Sequence, residues 1–173
     1  MNKKKQQTFW NAPDKSHGGS HARGKRKTAR PIATKRTMLL TLKSSRARGE
    51  WSLHRFEKAI EERVNALAKR FRVRVYRSVN VGNHLHLALR ASSRREFQNF
   101  LRVLTQAIAF LVTGARKGNP IGKFWDALAC SRIVEWGRDW VNVKRYMEKN
   151  RIEAAGVPRS WVDAWFAKAP APR

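Results

Sequence analysis

Four side chains in this sequence have types and spacings that allow chemistry: His84 and His86, two residues apart, and Tyr146 and Asn150, four residues apart. Residues 84–90 alternate in polarity, so a strand there sends Leu85, Leu87 and Leu89 to one face and both imidazoles to the other. Two neutral imidazoles at that spacing can ligate one cation, with a third ligand drawn from elsewhere in the fold. The same pair is also compatible with ordinary surface residues on the wet face of a strand. Tyr146 and Asn150 project from one side of a helix and place a nucleophile beside a possible third ligand. At about 100° per residue, Trp140, Val143, Met147 and Ala154 form that helix's apolar stripe, and Tyr146 lies roughly 90° from its centre. A tyrosine at such a place is either a functional hydroxyl or an interfacial ring with its oxygen in water.

The elements that must position these groups follow from periodicity. Residues 37–43 read as a first strand after Pro31, and Gly49 breaks the chain. Leu53, Phe56, Ile60, Val64, Leu67 and Phe71 recur at three- and four-residue steps, which predicts an amphipathic helix over 51–70. Residues 72–79 alternate, with Val73, Val75 and Val79 on one face and Arg72, Arg74 and Tyr76 on the other. A turn at 80–83 then joins this strand to the one through His84 as an antiparallel hairpin. Ser92 or Ser93 caps a helix through Phe97, Phe100, Leu101, Leu104, Ile108 and Leu111 that ends at Gly114. A basic loop (116–120), β character around Ile133 and Val134, a helix over 139–154 and a short terminal helix over 160–168 complete the order. Strand, helix, strand, strand, helix, strand, helix is the split βαβ scheme, an α+β fold with helices packed on an antiparallel sheet, ferredoxin-like in outline.

The charge points to the partner. The 173 residues hold 38 Lys and Arg against 12 Asp and Glu, a formal charge of +26 that favours a polyanion, nucleic acid above all. Residues 1–36 hold eleven Lys and Arg against Asp14 and show no period, which predicts a disordered arm. This leaves 27 basic and 11 acidic residues, or +16, to the remainder. The longest apolar run, 107–112, is too short to cross a bilayer. The first residues lead into Gln6, Gln7 and Thr8 instead of an apolar stretch, so no secretory signal is expected and the cytoplasm is the expected location. Cys130 is the only cysteine, which excludes an intrachain disulfide and points to a core role.

The run Val81-Gly82-Asn83-His84-Leu85-His86-Leu87 resembles the motif of HUH endonucleases, in particular the single-tyrosine transposases and their REP-associated relatives, where Met-Pro-Asn-His-x-His is usual. Tyr146-Met147-Glu148-Lys149-Asn150 resembles the Tyr-x-x-x-Asn or Tyr-x-x-x-Gln of their later helix, and Phe124-Trp125 their Trp-containing segment ahead of the last strand. The likeness covers about 37–156, which marks a catalytic domain between the arm and a 157–173 extension. Val81 and Gly82 replace Met-Pro, and Arg151 stands where many REP-associated members have proline; neither change removes a catalytic group. The resemblance implies an HUH nuclease fold and a metal-dependent single-strand endonuclease and strand-transferase. Tyr146 would be its nucleophile, forming a 5′-phosphotyrosine, and His84, His86 and Asn150 would hold Mg²⁺ or Mn²⁺. The expected partner is single-stranded or hairpin DNA, with the protein a monomer or homodimer and no membrane involved.

Arg72, Arg74 and Tyr76 flank such a site if the hairpin register keeps their face common with the histidines. Arg116 and Lys117 in the basic loop are further candidate DNA contacts, and Trp10 is the tryptophan of the arm suited to base stacking. His17, His21 and His54 are assigned surface or packing roles. The competing readings are a nonenzymatic nucleic-acid-binding module of the same fold, a domesticated relative that binds DNA hairpins, and a hydrolytic metal nuclease. The last lacks an obvious carboxylate near the histidines to activate water.

Overall fold

The structure, a computed structural model, describes residues 16–19, 29–116, 118 and 121–168. Five strands, β1 (Ser16–His17), β2 (Thr37–Lys43), β3 (Val73–Asn80), β4 (His84–Ala91) and β5 (Cys130–Val134), form one sheet in the order β1-β5-β2-β4-β3, every pairing antiparallel. Helices α1 (Glu57–Arg70) and α2 (Arg94–Thr113) pack on one face. Helix α3 (Arg138–Ala154) packs on the other, and α4 (Arg159–Lys168) packs on α3. Strand β4 lies between β2 and β3, which is the split βαβ arrangement expected from the element order.

Alternation along β2 and β4 divides the core in two. Met38, Leu40, Leu42, Leu85, Leu87 and Leu89 pack under α1 and α2 with Ile60, Val64, Phe97, Phe100 and Leu104. Leu39 and Ala88 point the other way and meet Val143 and Met147 of α3. Helix α2 starts at Ser93, whose Oγ accepts from Glu96 N–H (3.2 Å) and donates to Glu96 Oε2 (3.2 Å), and it ends at Gly114 in the left-handed region (φ 66°).

Three expectations are corrected. The strand at 72–79 is not strictly alternating: a bulge at Tyr76 breaks the register between Val75 and Arg77. The extra residue moves Val79 from the face of Val73 and Val75 to that of α3, where it packs with Leu39 and Ala88. The helix expected from 51 begins at Glu57, preceded by 3-10 turns at Gly49–Trp51 and Leu53–Phe56. Leu53 N–H is tied to Gly82 O (2.8 Å) and Leu53 O to Asn80 Nδ2 (2.9 Å), so the β3–β4 turn takes the backbone groups a longer helix would need. The arm is partly built as well. β1 pairs with β5, and the Arg30 guanidinium donates to Ser131 Oγ (2.5 Å) and Ala129 O (2.8 Å).

Candidate active site

The histidines stand on the α3 face of β4, opposite the leucines, as the alternation requires. In register, His86 faces Thr41 on β2 and Val79 on β3, and His84 faces Lys43. The two rings stack with centroids 5.8 Å apart and planes 11° from parallel. Each is oriented through Nδ1: His84 Nδ1 meets Asn83 Oδ1, and His86 Nδ1 lies 3.0 Å from Thr41 Oγ1. An amide oxygen only accepts, so His84 carries its proton on Nδ1 and its lone pair on Nε2. The Thr41 hydroxyl can accept from His86 Nδ1 or donate to it; with the imidazole donating, Nε2 is again left to ligate.

Burial keeps both rings uncharged. It pulls the His86 imidazole down to about 4, helped by His84. It also lowers His84, with Lys43 acting in the same direction and Asp126 against it. Neutral imidazole is the form a metal requires.

Helix α3 brings the tyrosine over this pair. Val143 and Met147 anchor its inner face in the core, and Tyr146, half-buried at the edge of that cluster, meets His86 edge-on at 5.4 Å between ring centroids and 81° between planes. Asn150, one turn on, donates from Nδ2 to Tyr146 O (2.7 Å). Burial raises the Tyr146 phenol above its ordinary value, while a hydrogen bond with the Asn150 side chain lowers it. Tyr146 and Asn150 also line a cleft of about 690 Å³ between α3 and α4, together with Arg145, Lys149 and Phe166. His84, His86, Tyr146 and Asn150 are thus joined by a chain of contacts across β4 and α3.

Among the described residues no group of three or more His, Cys, Asp or Glu is arranged to hold a metal ion. A three-ligand site on this histidine pair would therefore need a donor of another type, such as the Asn150 amide one contact beyond Tyr146. Two neutral imidazoles with Nε2 lone pairs and an amide oxygen suit a transition ion or Mg²⁺ retaining waters, so the residues present fit the group.

The other candidates divide. Arg74 is exposed with its guanidinium 5.3 Å from the Tyr76 ring centroid, and the bulge turns Tyr76 towards Trp136 and Trp140. Arg72 does not flank the site. It precedes β3 in the left-handed region (φ 51°) and pairs with Glu96 of α2 at 2.6 Å. Arg116 is exposed in the loop after α2. Trp10 and Lys117 lie outside the described residues, as does His21.

Sequence reasoning missed three contributors. Thr41 carries no motif, and only sheet register sets it against His86. Arg77, turned to the α3 face by the bulge, pairs with Glu148 and ties β3 to the helix that carries Tyr146. Asp126 corrects the statement that no carboxylate lies near the histidines: its charge reaches His84, and its backbone N–H donates to Lys43 O at 3.0 Å. Although partial burial works the other way, hydrogen bonds from Ser45 N–H and Oγ (both 2.8 Å) hold this carboxyl below its usual range, which makes it a weak base for activating water.

No protein-family profile matches the chain, and no curated protein matches it in sequence. Among solved structures it is similar to a REP-associated tyrosine transposase bound to a REP hairpin, with a TM-score of 0.56 and 11% identity over 76% of each chain. At that identity the likeness is one of fold: this chain shares the α+β architecture of the tyrosine transposase.

Proposed function

We propose that this protein is a metal-dependent single-strand DNA endonuclease and strand-transferase acting at hairpin-forming DNA. The observation that carries the reading is the Tyr146 ring set edge-on against His86 of a neutral, stacked histidine pair, with Asn150 hydrogen-bonded beside it. In the reaction Tyr146 Oη forms a bond to phosphorus as the bond from phosphorus to the 3′ oxygen breaks. The phenolic proton leaves and the 3′ oxygen gains one, giving a 5′-phosphotyrosyl protein and a free 3′-OH. Bound by His84, His86 and Asn150, Mg²⁺ or Mn²⁺ would supply the positive charge that makes an anionic phosphodiester attackable. The chain's own groups do the rest. Thr41 and Asn83 orient the imidazoles through Nδ1, and Arg77 fixes α3 through Glu148.

The test is a covalent adduct. With Mn²⁺ and a hairpin oligonucleotide labelled on the 3′ side of the cut, the label should run with the protein on a denaturing gel. A chelator, or His84→Ala with His86→Ala, should remove the adduct. Cleavage without any protein-linked label would replace the tyrosine by water and end this reading. One observation favours the second reading, a binding module of the same fold: burial raises the Tyr146 phenol, which works against its ionisation. Tight hairpin binding with neither cleavage nor adduct would select it.

A further inference from the structure

Beyond the histidines, the same side of the sheet carries an aromatic cluster that the proposed reaction does not use. Trp136, two residues past β5, is 59% exposed. Its ring lies 6.5 Å from Tyr76 at 82° and 5.7 Å from Trp140 at 56°, and the Tyr76 and Trp140 rings are 6.1 Å apart at 69°. Such edge and tilted contacts are favourable in themselves. They also hold the indole in one orientation, so a ligand stacking on it has little side-chain freedom left to freeze. Leaving so much tryptophan in water is unfavourable by the measure of buried apolar area, and nothing else among the described residues covers it.

The charge around the cluster says what fits there. The Arg74 guanidinium sits 5.3 Å from the Tyr76 ring, Arg90 lies across the strand pair from Arg74, and Arg138 opens α3 beside Trp136; all three arginines are exposed. Docking a second copy of this chain here would bring two bodies of +26 together. A polyanion with flat apolar faces meets no such opposition. The cluster is also close to the chemistry. Arg77, next to Tyr76, pairs with Ala88, which is two residues along β4 from His86, about 7 Å.

We propose that Trp136, braced by Tyr76 and Trp140 and flanked by Arg74 and Arg90, is a stacking site for an unpaired base of a single DNA strand, the guanidinium groups meeting the adjoining phosphates. The inference rests on the single-strand reading above and adds the surface that holds the strand outside the reacting centre. Every base has a π face, so this site is tolerant of sequence and selects single strand over duplex.

The full-length protein is titrated with a labelled single strand, with a strand of equal length carrying a run of abasic sites, and with the duplex. Trp136→Ala should weaken binding to the intact strand on the order of tenfold and leave the abasic strand and the duplex nearly unchanged. Trp136→Phe should recover most of the loss, and Arg74→Ala should weaken all three and flatten the salt dependence. If Trp136→Ala binds the intact strand as tightly as the wild type, the stacking site is overturned while the single-strand reading stands. If the wild type does not bind the single strand, both fall together. Equal losses on intact and abasic strands, or a Trp136→Ala protein of altered mass in solution, would also overturn it, the second by making the cluster a contact between copies.

Discussion

At the scale of single residues, the candidate site depends on a few atoms whose removal has distinct signatures. Tyr146→Phe deletes one oxygen from a ring that still packs against His86, so the covalent adduct should be lost while hairpin affinity stays within about twofold. A band-shift titration beside the denaturing gel separates the two, and an adduct from the Phe variant would name another nucleophile. Thr41→Val removes the oxygen partner of His86 Nδ1. Orienting partners of this kind are worth roughly 10- to 100-fold in metal affinity, so calorimetric Mn²⁺ binding should weaken by that factor. His86 also sets a pH dependence. Its imidazole titrates near 4 when folded and near 6.5 when unfolded, so between those values the unfolded chain binds more protons. The contribution to stability is therefore complete above about pH 6.5 and is lost as pH falls towards 4, by up to about 3 kcal/mol. Urea melts at pH 7 and 4.5 should show the drop, and a His86→Gln variant should show a smaller one. An equal drop in the variant would assign the effect to other groups.

At the scale of elements, the turn between β3 and β4 depends on a glycine that proline could not replace. Gly82 has φ 80°, out of reach of proline's fixed φ near −65°, and a Cβ there would stand 2.8 Å from His54 Cδ2. Gly82→Ala should therefore lower stability by about 1–3 kcal/mol in thermal melts, with part of the loss recovered when His54 is also changed to Ala. Recovery of nothing would mean that the backbone strain, not the imidazole, sets the penalty. The Tyr76 bulge has a wider effect. It turns Val79 and Arg77 onto the α3 face, where one packs beneath the helix and the other pairs with Glu148. Without that extra residue β3 would present neither group to α3.

At the scale of the whole molecule, charge and edge pairing make separable predictions for the arm. Residues 1–36 carry eleven basic residues, yet Ser16–His17 completes the β5 edge and Arg30 is fixed to Ser131 and Ala129. Deleting 1–15 removes Lys3, Lys4, Lys5, Lys15 and Asp14 and should flatten the salt dependence of DNA binding with little change in melting temperature. Deleting 1–36 should flatten it further and also lower the melting temperature, since it uncovers an edge strand and strips Ser131 of its guanidinium partner. An arm that served only for charge would leave both truncations equally stable, which calorimetry would reveal. Among the described residues no helix is long and apolar enough to cross a membrane.

The sequence by itself determined the strands that carry short periods and the two side-chain pairs that lie close along the chain. Alternation placed the leucines of β4 in the core and the imidazoles opposite them, and helical spacing put Tyr146 and Asn150 together, because both are properties of local backbone geometry. Tertiary structure alone decided what meets across elements. A single bulged residue reversed the faces of β3, and strand register set Thr41 against His86. A loop some forty residues past the histidines brought Asp126 within reach of His84. None of these leaves a period in the sequence, since each depends on how separate segments pack and not on how one segment is written.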